Sequence, residues 1–286
     1  MKKRTPINIV LLLVAASLAI YIASAPDKVE HLDLKPLSNE NPRSVSRIRL
    51  ELGDNRTIEL RRADGSWRLV EPMGIAANDF RINTLLRVLE APVHARIDAS
   101  AQDLARFGLV SPQARILLDD KEILFGDTEP IRGRRYLLYD GKVALIDDAY
   151  FSHLNSSAAN YVDPTLLGDD PSLRSIALPD RRIYRINDNR HLDSGEDNAG
   201  ADSTTQLVNT WRQAQATAVR PYERSLPWDG AIEVELADGK MRFDVARTKY
   251  ELILGRPELG IQYHVTKGAG ARLLGIEAAD ASKPLP

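Results

Sequence analysis

The sequence predicts an α+β protein: an N-terminal transmembrane helix followed by a β-meander-rich body built as two repeated meander–helix–strand–meander halves. Three observations carry this reading. Residues 7–23 (INIVLLLVAASLAIYIA) form an apolar run of 17 broken only by Asn8 and Ser17, directly behind Lys2, Lys3 and Arg4. From residue 44 onward, short runs of alternating polar and apolar residues are joined by Asp-Gly and Asp-Asn turns. The order of these elements then recurs 122–129 residues further along, as Ile97/Val219, Tyr136/Tyr263 and Gly126/Gly255.

The apolar run comes first. As a helix it is about 25 Å long at ~1.5 Å per residue, near the short end of what crosses a hydrocarbon core of ~30 Å. Its basic flank stays in the cytoplasm, so everything after Ala25 is exported. Ala23-Ser24-Ala25 has the small-x-small form of a cleavage site, but Pro26 follows and lacks the backbone donor of an extended substrate. Residues 1–25 are therefore read as an uncleaved signal anchor, with a cleaved signal peptide as the alternative. Residues 26–43 are polar and contain three prolines, as a tether does, while Leu32, Leu34 and Leu37 leave open an early edge strand.

The first half, residues 44–162, opens with a meander. Residues 47–52 alternate as a half-buried strand, Asp54-Asn55 turns into 57–60, and Asp64-Gly65 turns into 67–70. Asn78 caps a helix whose Ile82, Leu85, Leu86 and Leu89 share one face, and Pro92 ends it. A strand at 93–97 and a turn at 103–107 stopped by Gly108 lead to a second meander: 115–118, 123–125, 135–139 and 143–146. A helix from Asp147 carries Tyr150, Phe151 and Leu154.

A linker, residues 163–173, precedes the second half, residues 174–278, and a tail, 279–286. Strands at 175–178 and 182–186, a helix at 204–214, a strand at 218–219 and a meander from 232 to 266 repeat the first order. The register stays open, because residues 48–60 also align on 232–245, an offset of 184, and convergent β-patterning would give the same fold class. Residues 187–203 are almost wholly polar and read as a mobile loop.

Composition narrows the chemistry. The 286 residues are 43% hydrophobic and 27% charged, with 38 basic and 40 acidic side chains, a net charge of −2 and no cysteine. Disorder and polytopic membrane classes are excluded, as are disulfides, thiolate metal sites and cysteine nucleophiles. Nothing has the basic footprint of a nucleic-acid binder. Without Lys2, Lys3 and Arg4 the remainder holds 35 basic and 40 acidic groups, a charge of −5.

No motif supplies a catalytic, metal or cofactor site. Residues 187–203 place glycine and glutamate wrongly for a calcium loop. His31, His94, His153, His191 and His264 show no ligand spacing, and no Gly-x-Ser-x-Gly elbow occurs. Asp119-Asp120, Asp147-Asp148 and Asp169-Asp170 read as turn formers and caps. Gly268-Ala269-Gly270-Ala271 lacks the lysine-serine pair of a phosphate loop and reads as a flexible connection. Trp67, Trp211 and Trp228 sit in core-type contexts. Arg132, Arg134 and Arg135, around Gly133, are the candidate contacts for an anionic partner, a head group or an acidic protein, against the reading of a solvated turn.

Trp67-Arg68-Leu69 with Pro72, Ala77-Asn78-Asp79, and the helix through Leu85, Leu86 and Leu89 form a recognisable pattern. Phe107-Gly108-Leu109 with Pro112, and Leu124-Phe125-Gly126 with Gly133 and Tyr136, continue it. The pattern resembles the domain of unknown function 4340 family, exported bacterial proteins with one N-terminal membrane helix. The resemblance covers residues 45–150 well and the second half more loosely. It carries no catalytic residues, and it implies a link to gliding-motility-type ABC transport systems, in which this chain would be an exported accessory part.

The expectation is thus a single-pass protein of the bacterial inner membrane, held through residues 7–23, with its N-terminus cytoplasmic and its body periplasmic. It serves as a non-catalytic interaction or scaffold protein for an envelope or transporter partner, without cofactor. The alternatives are a glycan, lipid or peptide binding module with its groove between residues 44–154 and 172–275, and an envelope hydrolase whose acid and base converge only on folding.

Overall fold

The computed structural model describes residues 12, 14–17, 34–98, 100, 103–169, 171–180 and 205–276, and the backbone alone at 183–187, 190–193 and 201–204. Of the apolar run, residues 12 and 14–17 are described; they are helical, and the remainder lies outside the described residues. Among the described residues no helix is long and apolar enough to cross a membrane.

The chain from Pro36 onward is one compact unit, and its described residues form two antiparallel sheets and four α-helices. The first sheet contains β1 (Arg47–Leu52), β2 (Thr57–Ala63), β3 (Ser66–Glu71), β4 (Ile75–Ala76), β5 (Ala95–Ile97), β6 (Ala114–Leu118), β7 (Lys121–Thr128), β8 (Arg135–Tyr139) and β9 (Lys142–Ile146). Its order is β4-β3-β2-β1-β6-β7-β8-β9-β5. Helix α1 (Asp79–Leu86) lies between β4 and β5, and α2 (Ala149–Leu154) follows β9.

The second sheet contains β10 (Leu173–Ala177), β11 (Ile183–Asn187), β12 (Arg190–Asp193), β13 (Ala218–Pro221), β14 (Trp228–Leu236), β15 (Lys240–Arg247), β16 (Glu251–Arg256) and β17 (Ile261–Thr266). Its order is β12-β11-β10-β14-β15-β16-β17-β13. Helix α3 (Ala201–Arg212) precedes β13, and α4 (Lys267–Leu273) follows β17. Apart from β4, the two sheets have one connectivity: three strands, a helix, an edge strand, then four strands that return beside the first.

That connectivity corrects the register of the internal match. It sets β6–β7 against β14–β15, so that Ile116/Val234, Leu118/Leu236 and Phe125/Phe243, all buried, lie 118 residues apart. Gly126 and Gly255 instead lie in β7 and β16, and Tyr136 and Tyr263 in β8 and β17, strands that do not correspond.

Local chemistry explains most elements. Asp64 and Gly65 take φ of 53° and 86°, and Asp140 and Gly141 take 49° and 70°, the left-handed values a two-residue hairpin turn requires. The Asn78 side chain accepts the Arg81 N–H at 3.2 Å and starts α1, whose Ile82, Leu85 and Leu86 are buried. One continuous core joins the inner faces of both sheets to α1 and α3, from Ile48 and Leu50 to Trp211, Phe243 and Tyr263.

Four further expectations are revised. The polar stretch 187–203 is no loop throughout: β12 pairs with β11 and α3 begins at Ala201, while 188, 189 and 194–200 lie outside the described residues. Residues 268–271 are helical, within α4, because Thr266 caps the helix and Gly270 lets Leu252 pack against it. The linker is welded in. Asp163 N–H donates to Ala76 O and Leu166 N–H to Ala214 O, while Leu166 and Leu167 are buried. The tether ends at Pro36, not at 43: Leu37 is buried, and Leu37 and Ser38 donate their N–H groups to Ala91 O and Leu89 O.

Candidate functional site

The three candidate arginines lie where β7 meets β8, and the fold separates them. The β7–β8 ladder shifts register between Phe125 and Thr128, and the chain then turns over residues 129–134. Glu129 N–H donates to Arg134 O at 2.7 Å, Gly133 N–H donates to Glu129 O at 3.2 Å, and Gly133 takes φ of 66°. The turn is therefore fixed. It holds Ile131 out at 88% exposure, with Arg132 exposed and Arg134 half-buried beside it.

Arg135 points the other way and is 5% exposed. Its guanidinium pairs with Asp148, donates to Gln113 Oε1 at 3.0 Å and to Gly126 O at 2.5 Å, and stacks 3.8 Å from the Phe151 ring centre. A buried guanidinium committed to four neighbours is not free for an external anion. The anion contact is reduced to exposed Arg132 and half-buried Arg134, and Arg135 is the tie beneath them.

The outer faces of the sheets show why this turn stands out. Edge strand β5 and strand β6 are separated in the sheet by β9, β8 and β7, so the connection between them has to cross those three strands. It packs Leu104, Phe107 and Leu109 onto Leu124, Tyr136, Leu138 and Val143, a second small core. Gly126 lies beneath this strap, where a methyl group would sit 2.1 Å from Phe107 O. The β13–β14 connection crosses the second sheet in the same way. Tyr222 and Trp228 stack with ring centres 4.8 Å apart, and a methyl group on Gly255 would sit 2.5 Å from the Tyr222 ring. Trp67 and Trp211 are core residues as read, whereas Trp228 belongs to this outer strap.

Under the second strap is a polar chain that sequence spacing did not reveal. Gln262 Oε1 accepts the Glu223 N–H at 2.8 Å, which turns Gln262 Nε2 toward His264 Nε2 at 3.0 Å. That imidazole nitrogen must then accept, so the His264 proton sits on Nδ1 and is donated to Glu251 Oε2 at 2.8 Å. His264 is 4% exposed and both its ring nitrogens are engaged. His94 pairs with Asp147 at 3.0 Å. His31 and the side chain of His191 lie outside the described residues.

Of the paired carboxylates, Asp119, Asp147 and Asp148 serve the fold, and Asp170 lies outside the described residues. Asp119, at φ 52°, accepts the Ser46 hydroxyl at 2.8 Å and the Arg47 N–H at 2.9 Å. Asp147 and Asp148 are held by His94 and Arg135. Among the described residues no group of three or more His, Asp or Glu is placed to hold a metal ion.

Three clefts among the described residues bear on the binding-module reading. One of about 720 Å³ opens between residues 37–40 and the β6–β7 and β8–β9 turns, another of about 370 Å³ lies beside the Arg247–Asp229 pair, and a third of about 330 Å³ lies at the β1–β2 turn. Each is lined from one half of the chain alone, so none is the inter-half groove of the binding-module reading. The two phenols pushed furthest from their usual range, Tyr161 and Tyr263, both to about 12 by burial, are core residues and line none of these clefts.

A family model described as Domain of unknown function (DUF4340) matches residues 67–228, more than half of the chain. The chain belongs to the DUF4340 family. No curated protein and no solved structure matches it. The matched range begins in β3 and ends on the first residue of β14, so it takes strands from both sheets. The DUF4340-like residues of the first half have packing duties in the structure. Trp67 and Leu69 fill the core, Asn78 caps α1, and Gly108, at φ 68°, stops the strap turn that Phe107 and Leu109 press over Gly126.

Proposed function

We propose that this DUF4340 protein is a membrane-anchored periplasmic scaffold without catalytic activity, an accessory to an ABC-type transport or envelope system, whose body is two copies of one α+β unit. The observation that carries the reading is the clamp at the end of the tether. Residues 36–38 are pinned to the body by buried Leu37, by the backbone bonds to Ala91 and Leu89, and by Arg96 Nη2 donating to Pro36 O and Leu37 O at 2.9 and 3.0 Å. A pull on the anchor is thereby passed to the core instead of unravelling the first strand. His94 with Asp147, Arg135 with Asp148 and His264 with Glu251 are engaged in structural pairs, which also supports a binding body over a hydrolase.

The test is fractionation of the native, tagged chain. The protein should remain in the membrane after carbonate washing, and its body should be cut by protease added to spheroplasts but not to intact cells. Mild crosslinking should then recover transporter or envelope proteins specifically. Release of a chain beginning at Pro26 into the periplasm would overturn the anchor, and crosslinked products indistinguishable from background would overturn the scaffold.

A further inference from the structure

The two sheets carry equivalent hairpin ends, and both present the same chemistry. The β7–β8 connection corresponds by connectivity to the β15–β16 connection at residues 248–250. The first holds out Ile131, 88% exposed, beside Arg132 and Arg134; the second holds out Tyr250, 71% exposed, with Lys249 Nζ 5.3 Å from its ring centre. Both ends are built rigidly. Thr248 Oγ1 accepts the Glu251 N–H at 3.0 Å and the Tyr250 N–H at 3.3 Å, a counterpart to the locked 129–134 turn. The adjoining carboxylates are engaged or turned in, because Glu251 is held by His264 and Glu129 has one oxygen buried.

One apolar side chain on a narrow tip gives too little area for a protein interface, which needs roughly 800 Å² per partner. The same tip suits a lipid surface, where single aliphatic or aromatic side chains sit at the headgroup boundary and nearby cations meet phosphates. The geometry points to both tips, Ile131-Arg132-Gly133-Arg134 and Lys249-Tyr250, as docking points for an anionic phospholipid surface. The inference rests on the anchor reading only because the anchor keeps lipid within reach. It also explains why cations sit at the tips of a body that, from Pro36 onward, holds 33 basic and 37 acidic residues and whose net charge of −4 would otherwise repel such a surface.

Because the chain has no cysteine, Ile131→Cys, Tyr250→Cys and, as a control on the β8–β9 turn, Lys142→Cys each provide a single site for a nitroxide label. The full chain is reconstituted in vesicles of phosphatidylcholine alone or with phosphatidylglycerol, and label depth is read from accessibility to oxygen against a water-soluble relaxant. Labels at 131 and 250 should lie at headgroup depth only with phosphatidylglycerol, and the label at 142 should remain in water. Arg132→Gln and Arg134→Gln should each lower the inserted-to-free ratio at 131 about fivefold, the effect of one cation near an anionic surface, and leave 250 unchanged. Labels in water on a chain that stays in the vesicles after carbonate washing would overturn the docking and leave the anchor standing. Insertion that ignores phosphatidylglycerol would also overturn it. A chain that washes off the vesicles refutes the anchor instead, and the labels at saturating lipid without washing still decide the tips.

Discussion

Arg132, Arg134 and Arg135 are close neighbours in sequence, yet their replacement should have opposite consequences. Arg135→Met keeps the aliphatic stem but removes every polar contact of the guanidinium. Gly126 O then loses its donor in a buried site, at about 1–3 kcal/mol for a stranded acceptor, while the exposed Gln113 Oε1 can rehydrate, and the stacking on Phe151 adds about 0.5–1 kcal/mol. Asp148 is 40% exposed and can rehydrate, so its charge is not stranded. The total is about 3 kcal/mol. For a body of this size that corresponds to a fall in melting temperature of about 6–12 °C. Arg132→Gln and Arg134→Gln, at the surface, should stay within about 0.5 kcal/mol of the parent. Thermal melts of the three variants by circular dichroism check this directly. An Arg135→Met protein melting within about 2 °C of the parent would refute the role of Arg135 as the tie under the turn.

Other outcomes follow from the same packing. Gly126→Ala and Gly255→Ala should each cost about 1–3 kcal/mol and speed hydrogen exchange in the strap above them, whereas Gly268→Ala, which meets nothing within 4 Å, should be neutral or slightly stabilising. Tyr161 and Tyr263 are raised by burial to about 12 from 10, so the folded state holds their protons more tightly than the unfolded chain. Their stabilisation is complete below pH 10 and is lost as pH rises to 12, by up to about 2–3 kcal/mol each. Tyr161→Phe and Tyr263→Phe should each flatten the alkaline unfolding profile, and an unchanged slope would contradict the assignment. Gln262→Leu takes the acceptor from Glu223 N–H and the donor from His264, so amides of residues 222–228 should exchange faster while those of the first strap do not change.

The parts of this molecule legible in sequence are those governed by local chemistry. Asp64-Gly65 and Asp140-Gly141 announce their hairpins because few other residues accept positive φ, and Ile82, Leu85, Leu86 and Leu89 announce a helix by spacing alone. The illegible parts depend on a partner far along the chain. Strand β12 is polar because an edge strand needs only a backbone neighbour, here β11. Helix α4 is glycine-rich because Leu252 packs where a Gly270 side chain would be. Arg135 looked like its neighbours because β8 is covered on both faces: Leu137 faces the main core and Tyr136 and Leu138 face the strap, so the usual in-and-out alternation is hidden. His264 was hidden in the same way by the second strap.

The straps also account for the misleading resemblance between Gly126 and Gly255. An edge strand placed three strands away from its successor forces a crossing of the outer face, and wherever the crossing presses closest, the strand below must lack a side chain. The first strap presses on β7 and the second on β16, so one physical requirement produces similar sequences at positions that do not correspond. The same crossings divide each outer face in two. Beyond the straps the outer faces carry charges paired within the face, as Arg49 with Glu51 and Glu59 in the first sheet and Arg242 with Glu233 in the second. Such exposed pairs hold each other and are worth little to a partner. The covered strands are sealed by their straps. The ends of β7–β8 and β15–β16 are where the chain reverses beyond the strap's path, and there Ile131 and Tyr250 stand clear with their cations. Phe80 on α1 and Val110 on the first strap are exposed as well, so what distinguishes these two ends is the cation placed next to the apolar side chain at a hairpin end, the pairing that the proposed docking requires.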